Sequence, residues 1–134
     1  MEATSLPYHL LIPAAVSFVL VFLLFFTRKS IFRKRKILWI SLLVFFSCYL
    51  FICGVAAYDV INIQIESTKY DLNKNGVYEE RELTEEAKHV LSKISNDTGR
   101  NFAIVTGFVF ALILSITTFL FSSLLDKVLK RNKG

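Results

Sequence analysis

Three long apolar runs limit how this chain can fold. None of them contains Asp, Glu, Lys or Arg, and they are 17, 22 and 24 residues long. Each reaches the length of about 17 residues that a helix needs to cross a hydrocarbon core about 30 Å thick. A helix that is apolar on every side for this length is rarely the buried helix of a soluble domain. The runs are Leu10 to Phe26, Ile37 to Tyr58 and Phe102 to Leu125.

The runs predict an all-α integral membrane protein that forms a single membrane domain over residues 1–134. The hydrophobic fraction of 54% agrees with this class. The first run is followed at once by "RKSIFRKRK" and has no basic segment before it, so we interpret it as a retained helix and not as a secretory signal. The predicted transmembrane helices are residues 10–27, 37–58 and 102–125.

Basic residues predict the orientation of these helices. Six Lys and Arg residues lie in the short segment 28–36, and four more lie in the tail 126–134. Because Lys and Arg concentrate on the cytoplasmic side, both segments are expected there. The N-terminus and the segment 59–101 are then outside the cytoplasm. A plasma membrane or a bacterial inner membrane is the expected location.

The basic segments have a second interpretation. Each Lys or Arg near an anionic bilayer gains about 1 kcal/mol from the surface potential, so these residues could also bind anionic lipid headgroups. We favour a topology signal alone on the positive-inside rule. A nucleic-acid partner is not expected, because the basic residues lie against the membrane and have no folded platform.

The segment between the second and third helices carries a polar motif. Residues 70–82 are "YDLNKNGVYEERE", and from Asp71 onward they match the pattern D-x-[DN]-x-[DN]-G-x5-E. At these positions the segment resembles the EF-hand calcium-binding loop. In such a loop about twelve residues surround one hard cation, which takes about six to eight oxygen ligands. Gly76 would make the bend, because glycine reaches positive φ without a Cβ penalty.

The resemblance implies Ca²⁺ as the cofactor and a set of ligands for it. Side-chain oxygens would come from five residues, of which Glu79 would bind directly or through water, and a backbone carbonyl would come from Val77. With three carboxylates and two neutral amides, outside the cytoplasm, we predict weak binding, on the order of 10⁻⁴ to 10⁻³ M. The five side chains are Asp71, Asn73, Asn75, Glu79 and Glu82.

The residues after the loop predict an exit helix. Apolar residues recur there at steps of three and four, and Thr84 precedes Glu85 and Glu86 in a first helical turn. The apolar residues are Leu83, Ala87, Val90, Leu91 and Ile94.

The entering side of the loop departs from an EF-hand. Tyr70 is the expected aromatic residue, but Ser67 stands where an EF-hand usually buries a large apolar side chain. The stretch "VINIQIE" also alternates like a strand, although we favour a helix that continues the second transmembrane helix. No second loop of this kind occurs in the chain. The loop therefore either acts alone or pairs with a second protomer or another membrane protein.

No enzyme signature accompanies the loop. The chain has no nucleophile elbow, phosphate-binding glycine loop or paired catalytic carboxylates, so we expect no enzyme and identify no small-molecule substrate. Cys48 and Cys53 lie five residues apart on one predicted helix, which turns them to different faces and prevents a mutual disulfide. They are expected to be buried thiols.

The third transmembrane helix carries a stripe of small residues, Ala103, Gly107, Ala111 and Ser115, at steps of four. Such a stripe lets another helix approach closely. Packing within the chain is favoured over dimerisation, because three helices joined by short segments must already meet. The expected counterpart on the second helix is Gly54, Ala56 and Ala57.

Two functions follow as hypotheses. In the first, the chain is a calcium-responsive accessory or sensor subunit of a membrane complex, whose loop changes the relation of the second and third helices when Ca²⁺ binds. In the second, it is a structural or assembly subunit whose loop docks a partner, with calcium absent or purely structural.

Overall fold

The computed structural model describes residues 6–28, 35–73, 75–95 and 98–132. Most of the predicted basic segment 28–36 and the last two residues of the tail lie outside this part of the chain. The helices are α1 (Tyr8–Thr27), α2 (Lys36–Ser67), α3 (Glu85–Ser95), the single turn α4 (Thr98–Asn101) and α5 (Ala103–Arg131).

Helices α1, α2 and α5 are each long and apolar enough to cross a membrane. They carry large side chains on their outer surfaces: Phe26 is 71% exposed and Phe51 69% exposed. In water such a continuous apolar surface would be unfavourable, whereas in a bilayer it faces acyl chains. The prediction of an all-helical chain with three helices of this kind is confirmed, and the surface is compatible with a membrane protein.

Helix α2 is longer than a membrane span. Its 32 residues give a length of about 48 Å, against about 30 Å for a hydrocarbon core. The helix runs unbroken through residues 59–67, beyond the predicted end of the span at Tyr58. The stretch "VINIQIE" is therefore helical, as we favoured, and its strand-like alternation does not produce a strand.

The small-residue stripe of α5 packs against α2. Ala103, Gly107 and Ala111 are buried, and two apolar clusters form across the contact. Ala103 lies with Ala56 and Ala57 in one cluster, while Ala111 lies with Tyr49 and Cys53 in the other. The stripe thus packs within the chain, on Ala56 and Ala57 as expected. Gly54 is not close-packed, since a Cβ added there would meet nothing within 4 Å.

The contact also defines the relative direction of the two helices. Ser115 Oγ donates a hydrogen bond to the backbone carbonyl of Ser41 at 2.9 Å. Ala103, at the start of α5, lies beside Ala56 and Ala57, more than halfway along α2. The helices are therefore antiparallel, and the end of α5 lies at the same end of the bundle as the start of α2.

Helices α1 and α2 are joined by a bond that the sequence pattern did not predict. The indole Nε1 of Trp39 donates to the backbone carbonyl of Leu24 at 2.9 Å. Leu24 lies in the last turn of α1, where carbonyls lack an intrahelical donor. Trp39 therefore caps the end of α1 from the first turn of α2.

Helix α3 packs back against α2. Ala87 and Val90 are buried, as expected for the apolar face of the exit helix, whereas Ile94 of the predicted face is exposed. Thr84 Oγ1 accepts a hydrogen bond from the Ala87 N–H at 3.2 Å, which is the bond of an N-cap residue. The segment before α3 is thereby held at the free end of α2.

Candidate functional site

The loop 71–82 begins where α2 ends. The Lys69 N–H donates to the Glu66 carbonyl at 3.2 Å and the Tyr70 N–H to the Ser67 carbonyl at 3.0 Å, which closes the helix with tighter turns. Ser67 is buried, and its hydroxyl donates to the Gln64 carbonyl at 2.8 Å. The small residue that departs from the EF-hand pattern is therefore satisfied by its own helix.

Side chains of the first half of the loop bind backbone amides of the same turn. Asp71 Oδ1 accepts from the Asn75 N–H at 3.2 Å, and Asp71 Oδ2 accepts from the Gly76 N–H at 2.9 Å. Asn73 Oδ1 also accepts from the Asn75 N–H, at 3.0 Å, and Asn75 Oδ1 accepts from the Val77 N–H at 2.7 Å. The bonds to Asn73 and Asn75 span two residues and are Asx turns, while the two longer-range bonds wind the chain around the Asp71 carboxylate.

Gly76 adopts a left-handed backbone conformation. Its φ is 79°, in the region where a Cβ clashes with the backbone. The chain reverses at this residue between the Asx turns and the second half of the loop. The bend that the sequence pattern assigned to Gly76 is present.

Replacing Gly76 by Ala should loosen the loop. A residue with a Cβ in the left-handed region costs about 1–2 kcal/mol. In the variant, the amides of residue 76 and Val77 should therefore exchange with solvent deuterium about 5 to 30 times faster than in the wild type. Hydrogen-exchange mass spectrometry of the purified chain would measure this. Gly99→Ala is the matched control, because a Cβ there meets nothing within 4 Å and φ is not positive. Equal exchange in the wild type and the Gly76→Ala variant would contradict the backbone strain expected for alanine at position 76.

Glu82 joins the two ends of the loop. Glu82 is only 5% exposed, although it is a long charged residue. Oε1 accepts from the Leu72 N–H at 2.9 Å and from the Asn73 N–H at 3.1 Å. Oε2 accepts from the Glu79 N–H at 3.2 Å. Three bonds from backbone amides to a carboxylate offset the cost of burying it.

Hydrogen bonds within the loop link all six predicted ligands, each from a backbone N–H to a side-chain oxygen. Asp71, Asn73 and Asn75 share one turn, and Glu82 reaches back to the Asn73 backbone. Val77 and Glu79 are exposed, and their N–H groups donate to Asn75 Oδ1 and Glu82 Oε2. The Glu79 carbonyl also accepts from the Glu82 N–H at 2.9 Å. Among the residues that the structure describes, no three His, Cys, Asp or Glu side chains form a cluster able to hold a metal ion.

Charges near the loop are mostly acidic and solvated. In the first turn of α3, Lys88 Nζ lies 2.9 Å from Glu85 Oε1. The hydrogen bond and the positive charge of Lys88 lower the pKa of Glu85. Both side chains are well exposed, so this pair adds little to stability.

One part of the site was missed by the sequence pattern. The pattern names side chains, whereas the partners of Glu82 are the amides of Leu72, Asn73 and Glu79. No residue pattern signals these donors, because they are backbone groups that any residue other than proline at positions 72, 73 and 79 would provide.

The geometry defines an all-helical chain with three helices of membrane-spanning length and a turn-rich loop at the end of α2. No protein-family model, curated protein or solved structure matches this chain.

Proposed function

We propose that the chain is a small membrane protein that binds Ca²⁺ through the loop 71–82 and responds to it. The observation that carries the proposal is the hydrogen-bonded loop. The side chains of Asp71, Asn73 and Asn75 accept bonds from later amides of the same turn, and Glu82 joins the end of the loop to its beginning. Calcium favours this kind of site, because it takes carboxylate, amide and carbonyl oxygens in a flexible shell.

The carboxylate of Asp71 remains able to bind a cation. Each of its two carboxylate oxygens accepts one N–H bond. A carboxylate oxygen has two acceptor positions, so each retains one for a cation. The amide bonds therefore orient the side chain without using up its capacity.

Glu82 supplies the response. Its Oε1 accepts two N–H bonds, so both acceptor positions of that oxygen are already used. For Glu82 to offer both oxygens to one ion, Oε1 must release the Leu72 or the Asn73 amide. Binding of Ca²⁺ would then exchange amide bonds for metal ligands and move the exit side of the loop relative to its entry.

The helices provide a path from the loop to the membrane. The loop follows α2 directly, and α3, which leaves the loop, packs against the same helix. A change in the distance between Asp71 and Glu82 would therefore bias the contact of α3 with α2. The short turn α4 connects α3 to α5, so this bias can reach the third long helix.

The orientation belongs to the same proposal. The positive-inside rule supports a cytoplasmic position for the basic end of the bundle and an outer position for the loop. In that position the ion would be supplied at the higher concentrations of an extracytoplasmic compartment, which suits weak binding.

A calcium titration of the full chain in detergent micelles tests the proposal. Calorimetry should give one saturable site with a dissociation constant on the order of 10⁻⁴ to 10⁻³ M, and weaker binding of Mg²⁺, which demands stricter geometry. Terbium luminescence sensitised by Tyr70 or Tyr78 would locate the ion at the loop. No saturable heat and no luminescence would contradict calcium binding.

The same titration distinguishes the alternative, a structural or assembly subunit whose loop docks another membrane protein or a second protomer. Two apolar side chains of the loop favour this function, since Leu72 is 75% exposed and Val77 is 63% exposed. Trp39, the single tryptophan, lies near the opposite end of α2 from the loop. Calcium binding that leaves Trp39 fluorescence unchanged would support a structural ion, and a change would support the responsive function.

A further inference from the structure

The end of the bundle opposite the loop is strongly basic. The antiparallel packing brings the end of α1, the start of α2 and the end of α5 to this end. Its one described carboxylate, Asp126, is already paired with Lys130 at 2.7 Å. The described cations there are exposed: Arg28, Arg35, Lys36, Lys127, Lys130 and Arg131.

Arg28 differs from the other described cations at this end because it packs on an aromatic ring. Its guanidinium carbon lies 4.7 Å from the centre of the Trp39 ring, a cation–π contact. Trp39 is itself buried and bonded to the Leu24 carbonyl. Arg28 is therefore held against a fixed aromatic surface at the junction of α1 and α2.

This contact leaves the charge of Arg28 without an anion. Within the described ranges of the chain, no carboxylate pairs with Arg28 and no acceptor binds its side-chain N–H groups. A guanidinium carries five N–H donors in a geometry that matches phosphate oxygens. Tryptophan residues typically lie at the level of the lipid headgroups. Arg28 thus presents unused phosphate-binding groups at a depth where phosphates are found.

The last two turns of α5 have a suitable surface for the same environment. Val128 and Leu129 are exposed on one side, while Lys127, Lys130 and Arg131 occupy the other. Such an amphipathic segment is suited to a lipid headgroup region, with its apolar side chains toward the acyl chains and its basic groups toward phosphate.

We propose that the basic end of the bundle binds an anionic phospholipid, with the lipid phosphate on Arg28 where Trp39 holds it, in the positive field of the other exposed cations at this end. The site is separate from the loop 71–82 and does not depend on calcium. It requires only that the three long helices lie in a bilayer.

Quenching of Trp39 provides a direct test, because it is the only tryptophan and lies under Arg28. The full chain is reconstituted in phosphatidylcholine vesicles that contain either brominated phosphatidylglycerol or brominated phosphatidylcholine. We expect phosphatidylglycerol to quench Trp39 more strongly at equal mole fraction. In Arg28→Gln the relative binding constant for phosphatidylglycerol should fall about fivefold, the effect of one basic residue at an anionic surface.

Two further variants keep the test decisive. Arg81→Gln makes the same change in the loop at the opposite end and should leave the lipid preference unchanged. Arg28→Lys keeps the positive charge but loses the set of N–H donors that matches phosphate oxygens, so its preference should lie between those of the wild type and Arg28→Gln. Loss of the preference in Arg81→Gln, or an undiminished preference in a folded Arg28→Gln or Arg28→Lys variant, would overturn the assignment of the lipid phosphate to Arg28.

Competition with inorganic phosphate tests whether Arg28 binds a lipid phosphate or a soluble phosphate. Millimolar phosphate at constant ionic strength should not displace brominated phosphatidylglycerol from Trp39. Displacement would assign Arg28 to a soluble phosphate and overturn the lipid proposal. Equal quenching by the two brominated lipids in the wild type would overturn it as well.

Discussion

Replacing Glu82 by Gln should remove calcium binding and loosen the loop even without calcium. The Glu82 carboxylate is nearly buried and accepts three backbone N–H groups. A glutamine retains one oxygen, and its NH₂ group would face one of these N–H donors. Leaving one buried donor unsatisfied costs about 1–3 kcal/mol. The same change removes one negative charge and one oxygen from the proposed metal ligands.

Two measurements separate these effects. Calorimetry with Ca²⁺ should show no saturable binding by the Glu82→Gln variant, because the wild-type affinity is already weak. Hydrogen exchange in the absence of calcium should show faster exchange of the Leu72, Asn73 and Glu79 amides. The first result tests the proposed metal site, and the second tests the hydrogen bonds of the structure.

Glu80→Gln is the matched control for Glu82. Glu80 lies two residues earlier, is exposed and is not among the proposed ligands. The variant has the same change in charge and should bind Ca²⁺ nearly as the wild type does. A Glu82→Gln variant that titrates like Glu80→Gln would exclude the proposed ligand role of Glu82.

Replacing Gly107 by Ala should weaken the contact between α2 and α5. A Cβ at this position would lie 2.8 Å from Ile52 Cγ2 and 3.4 Å from Ile52 Cβ. Favourable carbon contacts begin at about 3.5 Å, so Ile52 or the helix must shift. Inserting one carbon into a closely packed contact typically costs about 1–3 kcal/mol, of which the higher helix propensity of alanine offsets about 1 kcal/mol.

Gly54→Ala offers a control in the partner helix. A Cβ at Gly54 meets nothing within 4 Å. Alanine also favours a helix over glycine by about 1 kcal/mol, so this variant should be neutral or more stable. Unfolding in mixed micelles of mild detergent and dodecyl sulfate, followed by circular dichroism, would compare the two. If both variants unfold at the same detergent fraction, the close packing at Gly107 is contradicted.

Much of the fold was predictable because its causes are local in sequence. The uncharged runs predicted α1, α2 and α5, since a helix satisfies every backbone polar group within one segment of chain. The apolar spacing of Ala87 and Val90 predicted α3 and its buried face. The continuation of α2 to Ser67 was less certain, because "VINIQIE" has an alternation that also suits a strand.

The candidate site was predictable only in its residues. The spacing from Asp71 to Glu82 indicated a tight loop with a glycine bend, and the structure has both the turns and the positive φ of Gly76. It could not indicate that Glu82 binds the Leu72 and Asn73 amides, because these partners depend on how the loop closes in space. Whether calcium takes their place stays a prediction.

The amino-acid sequence by itself determined the three long apolar helices, the basic and acidic segments between and after them and the glycine bend, because hydrophobicity, charge and backbone freedom belong to single residues. Only the tertiary structure decided that Gly107 lies against Ile52, that Trp39 caps α1 and holds Arg28, and that Glu82 closes the loop through backbone amides. Each of these contacts joins residues distant along the chain, and its free energy depends on separations of a few tenths of an ångström that no residue pattern contains.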